Sequence, residues 1–508
     1  MTKVAVATTS QLAADAAKEV AMQGGNAVDC ALAAALFTMN TEPGVCALAG
    51  SAFVTVWQPG ADPVTIDGNG AIPGSGLPDS ARGGGASRVT IDYGGGITTL
   101  AGVGSVAIPG SLAAIERAWQ LFGNTRWRDL FAPTIAAVRE GFPLPTACHY
   151  YLGYSGECIF SRSDDGFFSL HSADRSLQDA GSLIVVPHLA DTLSAIANEG
   201  ARLFYEGELA QTMTEHVQNG GGALTLDDLK QYEAKERPSL TVEIGDWTIA
   251  SNPPPAVGGT MLAAMLLACA DLPNREWTSA ALSRLINVQR AVLDHRRRHL
   301  DLANDVGAAA AQLLESARNG QLLSQWTSSS TVHTSTVDNN GIACAVTASS
   351  GYGSGEMPPG TGLWLNNCLG ELELNRRGLQ AGPPGKRLPS NMAPSIARRK
   401  GTVLAIGSPG ADRITTALHQ FLVNKLQMGM SIEDAIKHPR LHVDTSGEEE
   451  RLMAEPGLDL PQVDMPLSVY PELNMYFGGI GATLVDRKNG FQVSSDPRRA
   501  GGTAICGE

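Results

Sequence analysis

The run Ser328-Ser329-Ser330-Thr331-Val332-His333-Thr334-Ser335-Thr336-Val337-Asp338 holds the side chains best suited to chemistry. A hydroxyl-rich stretch passes into the alternation Thr-Val-His-Thr-Ser-Thr-Val, and Asn339-Asn340-Gly341 follows. Period-two alternation closed by an Asn/Gly turn predicts a β-strand entering a hairpin. A threonine heading such a strand becomes a nucleophile if the peptide bond before it is cut. The new α-amine then acts as base for the hydroxyl of the same residue. The same pattern also describes a Ser/Thr-rich strand start with no chemistry at all. His333 reads as a packed, hydrogen-bonded histidine, because the threonine amine would already fill the role of base.

A nucleophile of this kind needs a rigid sheet beneath it. Short strands are predicted at residues 4–8, 52–57 and 64–67, the last two paired. After Thr331 they follow at 334–337, 342–348, 362–365, 395–397 and 403–406, and 482–485 with 491–494 form a closing hairpin around Lys488-Asn489-Gly490. Helices are predicted at 11–23, stopped by Gly24-Gly25, and at 26–39. Others start near Ser111, at Phe131-Ala132-Pro133 and, with a capping pattern, at Leu224-Thr225-Leu226-Asp227-Asp228-Leu229. Residues 279–302 and 414–428 are also helical, and Arg296, Arg297 and Arg298 read as a solvated or salt-bridged face. Residues 307–326 read as a helix fading into a linker, a suitable place for a cut. Strands that cluster late with helices around them imply stacked sheets sandwiched by helices, an α+β arrangement.

Composition narrows the function classes. At 508 residues with 43% apolar content, the chain can bury a large two-layered core. A formal net charge of −14 argues against nucleic acid or an anionic membrane as partner. No stretch reaches the roughly 18 apolar residues of a membrane span, and residues 1–10 carry no apolar run of signal-peptide length, so a cytoplasmic location is expected. The eight cysteines show no CxxC spacing, which predicts buried, reduced thiols, no metal site and no cofactor.

Taken in order, the motifs resemble the γ-glutamyltranspeptidases, self-cleaving members of the N-terminal-nucleophile hydrolases. Gly24-Gly25-Asn26-Ala27-Val28-Asp29 resembles the N-terminal helix signature. Phe204-Tyr205-Glu206-Gly207, the run from Leu224 to Leu229 and Pro253-Pro254-Pro255 resemble the middle. Thr331-Val332-His333, Pro359-Gly360-Thr361-Gly362, Leu365-Asn366-Asn367, Pro384-Gly385-Lys386-Arg387 and Gly407-Ser408-Pro409-Gly410 resemble the small subunit. The resemblance implies an αββα four-layer sandwich and cleavage between Ser330 and Thr331. A large subunit of residues 1–330 and a small one of 331–508 would form a heterodimer, with pairing of two heterodimers as a further state. It also implies Thr331 as nucleophile, Ser349 as the hydroxyl beside it, and the backbone N–H groups of Gly410 and Ala411 as the oxyanion hole. The substrate would be a small molecule with an amide or related acyl bond.

The acyl pocket departs from the family pattern. Where the family anchors the substrate α-carboxylate with the Arg of Asp-x-Arg-Glu, this chain reads Asp67-Gly68-Asn69-Gly70. Loss of a bidentate, charge-assisted contact removes roughly 1.5–3 kcal/mol of binding. The family's Ser-Ser pair becomes Ser390-Asn391, its Gln and Asp after Asn-Asn become Cys368 and Glu371, and the loop at Ser350-Gly351-Tyr352 is about two residues short, deleting an Asn ligand. Tyr352 is expected either to line the pocket or to pack behind it. Together these changes point to a non-glutamyl acyl group. Two alternatives stand beside this reading. One is a specialised-metabolism hydrolase of the same family, acting on a carbon–carbon bond in alkyl-proline antibiotic biosynthesis or on a short amide acid such as oxamate. The other is an unprocessed binding protein.

Overall fold

The computed structural model describes residues 2–92, 96–272, 276–319, 331–379, 381–410, 413–445 and 449–507. Two sheets organise them. The first contains β1 (Val4–Thr8), β2 (Ser51–Trp57), β3 (Val64–Gly68) and β4 (Lys235–Pro238). β5 (Leu240–Ile244) and β6 (Trp247–Ser251) belong to the second, and β7 (Val332–Asp338) and β8 (Ala343–Ser349) return to the first. β9 (Ser395–Arg399), β10 (Thr402–Gly407), β11 (Gly481–Asp486) and β12 (Gly490–Ser495) complete the second, and β13 (Gly502–Cys506) closes the first. The orders are β13-β1-β7-β8-β2-β3-β4 and β12-β11-β10-β9-β6-β5, with every neighbouring pair antiparallel.

β7 carries five polar residues and only two valines, yet it is buried along its whole length. That is possible only if both faces are covered and each hydroxyl finds a partner. On one face the Thr334 and Thr8 hydroxyls pair at 2.8 Å, and the Thr336 hydroxyl donates to the Ala27 carbonyl at 2.7 Å. On the other, the Ser335 hydroxyl donates to the Gly481 carbonyl of β11, and Val337 packs with Ile396 and Ala405 of the second sheet. Thr331 and His333 share this second face by the two-residue repeat.

Helices cover the outer faces. α1 (Gln11–Met22) and α2 (Ala27–Thr41) lie over the first sheet. α2 is Ala-rich, buried at every position, and opened by a capping box in which Asn26 and Asp29 satisfy each other's backbone N–H groups. α3 (Ser111–Phe122) packs on β2 and β3, and α4 (Trp127–Glu140) packs on α2. Against the second sheet lie α5 (Gly258–Ala268), α6 (Ser279–His295), α7 (Val306–Arg318) and α8 (Arg413–Leu422), which share one apolar core with it. The result is the four-layer αββα sandwich. Among the described residues, no helix is long and apolar enough to cross a membrane.

Two sequence expectations need correction. The strand expected at 362–365 is irregular chain with one bridge between Leu365 and Ala49, because its apolar residues are buried as a coil segment and carry no ladder. The helix expected to start at Phe131 begins at Trp127, whose ring packs against Trp119 and Phe131, and Pro133 lies inside it. Of the two alternatives for the arginine run, solvated or salt-bridged, Arg296 takes the second. It is fully buried and ion-paired with Asp301, which also binds Arg376, while Arg298 stays exposed against Asp294.

Candidate active site

Strand register assembles the site. Val332 pairs with Ala348, so one further step of the same ladder sets Thr331 opposite Ser349. Ser349 pairs with Ser51 of β2. Ala52 pairs with Gly68, so one further step sets Ser51 opposite Asn69. Directly opposed residues in antiparallel strands point to the same face, with Cα atoms about 4.5–5.5 Å apart. Four short polar side chains from four consecutive strands therefore form one transverse row, and all four line one open pocket.

The rest of the lining comes from two loops. One brings Cys368, Glu371 and Leu374, the other Leu388, Pro389, Ser390, Asn391 and Met392. Asn366 and Asn367 hold the first loop. The Asn366 amide donates to the Ala49 and Ala107 carbonyls and accepts from the Ala107 and Cys368 N–H groups. The Asn367 carbonyl accepts from the Tyr352 N–H at 2.6 Å, and its amide donates to Thr99 and Leu100. Gly351 is required where this loop meets the β8 end: its φ is +65°, and a Cβ there would lie 2.1 Å from the Asn367 oxygen. The second loop is tied to the start of α5, where the Val257 and Gly258 N–H groups donate to the Ser390 carbonyl.

The pocket is electrostatically lopsided. Glu371 is its one charged lining residue among those described. Behind it, Glu373 takes the Tyr352 hydroxyl at 2.8 Å, and its carboxyl is pushed up by burial and then by the charge of Glu371. The Cys368 thiol is held well above its ordinary range by burial, which keeps it protonated and no rival nucleophile. Its sulfur lies 3.6 Å from the Ser51 hydroxyl, which accepts from the Gly70 N–H at 2.8 Å. The Asn69 amide donates to the Leu388 carbonyl at 2.6 Å, and its backbone is held by Asp67 and by the Tyr232 hydroxyl. Both polar atoms of the Asn391 amide are buried without a hydrogen-bond partner among the described residues. Such a group costs about 1–3 kcal/mol until a ligand pairs it.

His333 is a structural residue. Its two ring nitrogens meet the Thr347 and Ser335 hydroxyls at 2.8 and 2.7 Å, and burial pushes its pKa down to about 3. The ring packs so closely on Gly407 that a Cβ there would lie 2.1 Å from it.

Of the residues singled out in the sequence, Thr331, Ser349, Asn69, Cys368, Glu371, Ser390 and Asn391 meet in the one pocket. Tyr352 is buried outside that lining, bonded to Glu373. Gly410, with φ +118°, packs on Gly478 in the turn after β10 and is not among the lining residues. Ser330 and Ala411 lie outside the described residues. Ser51, Leu374, Leu388, Pro389 and Met392 escaped sequence reasoning. None of the five belongs to a local motif, and Ser51 enters the site only because β2 pairs with β8 of the hairpin after Thr331.

Known proteins resemble this chain along most of its length. Residues 13–506 match the family model described as Gamma-glutamyltranspeptidase. The chain is 29% identical over 487 residues to glutathione hydrolase 5 proenzyme of Rattus norvegicus, covering 88% of this chain and 83% of that one. It is 28% identical to the glutathione hydrolase proenzyme of Pseudomonas aeruginosa, covering 86% and 82%. In structure it resembles cephalosporin acylase from Bacillus halodurans, with a TM-score of 0.81 at 22% identity, covering 100% of this chain and 96% of that one. It also resembles LmbA2991HD, with a TM-score of 0.77 at 20% identity, covering 100% and 99%. At those identities the two likenesses are of fold.

Proposed function

This chain belongs to the gamma-glutamyltranspeptidase family of N-terminal-nucleophile hydrolases and transferases, and on that premise we propose that Thr331 is its nucleophile, freed by cleavage after Ser330, for a non-glutamyl acyl substrate. The observation that carries the reading is the transverse row: Thr331 heads its strand opposite Ser349, on the floor of a polar pocket.

In this reading the Thr331 hydroxyl first attacks the Ser330 carbonyl carbon. The C–N bond breaks, the nitrogen takes the proton, and water hydrolyses the resulting ester. The freed amine then accepts the hydroxyl proton as the Thr331 oxygen attacks the substrate carbonyl. Ser349 orients the nucleophile. By the family resemblance alone the oxyanion would fall to the backbone N–H groups of Gly410, which lies outside the pocket lining, and Ala411, which lies outside the described residues; a donor in such a role contributes roughly 10²–10³ in rate. Collapse of the intermediate expels the leaving amine, which takes the proton, and water or an acceptor amine resolves the acyl-threonine.

The acyl group follows from the lining. Asn69, Ser390 and Asn391 offer neutral hydrogen bonds, and Glu371 offers a place for an amine or hydroxyl. No cation lines this pocket among the described residues, so a glutamate α-carboxylate has no ionic partner there.

Denaturing gel electrophoresis of Thr331→Ala tests the nucleophile. The expected result is one unbroken band at the full 53.1 kDa and no turnover of any acyl substrate, with wild type split in two. A variant that still divides at Ser330 would place the nucleophile elsewhere.

A further inference from the structure

Beside the Thr331 pocket lies a second, open pocket, and the two share Leu374, Leu388 and Pro389 as a common wall. Its interior is apolar, with Ile72, Leu300, Val306 and Leu369 contributing side chains. Its charge runs against the rest of the molecule. The chain as a whole carries −14, yet this lining holds four cations, Arg376, Arg377, Lys386 and Arg387, and one carboxylate, Asp301.

The cations divide into two kinds. Arg376 is engaged by Asp301, and Arg387 lies 3.5 Å from Asp67 and stacks on Tyr232. These two are committed to the fold. Arg377 and Lys386 have no carboxylate within ion-pair distance among the described residues, and both keep contact with solvent. A cavity with apolar walls and two uncommitted cations suits a molecule with an apolar stem and an anionic end.

We infer that this cavity is a distal acyl subsite. It receives an apolar stem ending in a carboxylate, so the substrate class is an ω-carboxyacyl amide with a longer arm than glutamyl. The inference rests on the Thr331 reading for where the reacting carbonyl sits. Asn69, Glu371 and Ser390 would hold the near end of the acyl group, and its far end would have to pass Leu374, Leu388 and Pro389, the residues common to both linings, to reach the second pocket. The cationic anchor absent from the first pocket is thereby supplied in the second.

Calorimetric titration of the purified full chain with octanedioate and with octanoate tests this, because the two differ only at the distal carboxylate. Octanedioate is expected to bind at least tenfold more tightly. In the Arg377→Ala/Lys386→Ala double variant, that preference should fall to the roughly twofold statistical factor of a symmetric ligand, with octanoate binding unchanged. Equal affinities in wild type, absence of binding by either acid, or a preference that survives in the double variant would each overturn the subsite. A denaturing gel of the same samples reports self-cleavage separately. An unbroken wild-type chain counts against Thr331 alone, and normal self-cleavage of the double variant shows that it folds.

Discussion

Under the proposed function, Asn69 is where one side chain would decide most about the substrate. It occupies the fourth place in the row from Thr331, and its amide is spent on the Leu388 carbonyl at 2.6 Å. An arginine at this position would put a cation into a pocket where Glu371 is the sole charged lining group among the described residues. It would lose one neutral hydrogen bond, about 0.5–1.5 kcal/mol, and gain a charge-assisted one to a substrate carboxylate, roughly 1.5–3 kcal/mol. Asn69→Arg is therefore expected to lower the KM for a γ-glutamyl anilide by about tenfold, with kcat changing little. Steady-state kinetics check it, and an unaltered KM would mean that the missing arginine is not what shifts specificity. Thr331 and Asn69 were legible in the sequence because each belongs to a local motif. Ser51 was not, since its place in the row comes from β2 pairing with a strand almost three hundred residues later.

At the scale of elements, the sheets meet closely where β7 faces β10, with the His333 ring against the bare Cα of Gly407. The ring is held neutral, its pKa moved from 6.5 to about 3 by burial. For a depressed histidine the stabilisation is fully present above pH 6.5 and is lost as pH falls toward 3, since the unfolded chain binds the proton first. Below pH 6.5 the loss is about 1.4 kcal/mol per pH unit. Glu42, raised to about 7 by burial, acts in the opposite sense, losing its stabilisation as pH rises from 4.5 to 7. Only a difference measurement isolates His333. His333→Gln is expected to gain on wild type by about 1.4 kcal/mol for each pH unit between 6 and 4.5, read from urea midpoints, and a pH-independent offset would show that the ring is already protonated. Most strands were legible because alternation ended at Asn or Gly turns, as with β7 and β11–β12. Residues 362–365 misled because a short apolar run is as compatible with buried coil as with a strand. The burial of Arg296 was illegible because Asp301 comes within reach only through the turn of chain after α6.

For the whole molecule, the position of Thr331 in the chain matters less than where its strand lies. The residues before it supply β1 to β6, and those after it supply β7 to β13. The two sets interleave through four ladders: β13 with β1, β1 with β7, β8 with β2 and β6 with β9. The layered architecture followed from counting strands and helices, but this interleaving is a property of long-range pairing and left no mark on any local segment. A cut after Ser330 would cross none of the ladders. The two pieces would stay joined by backbone hydrogen bonds and by the apolar packing of both cores, neither of which salt screens. Processed protein is thus expected to run as fragments of about 35 and about 18 kDa, at roughly 0.1 kDa per residue, on a denaturing gel. In native size-exclusion chromatography the two fragments should elute together, with equal recovery in dilute buffer and in about 1 M salt. Fragments that part without denaturant would show that the ladders across the cut do not carry the assembly.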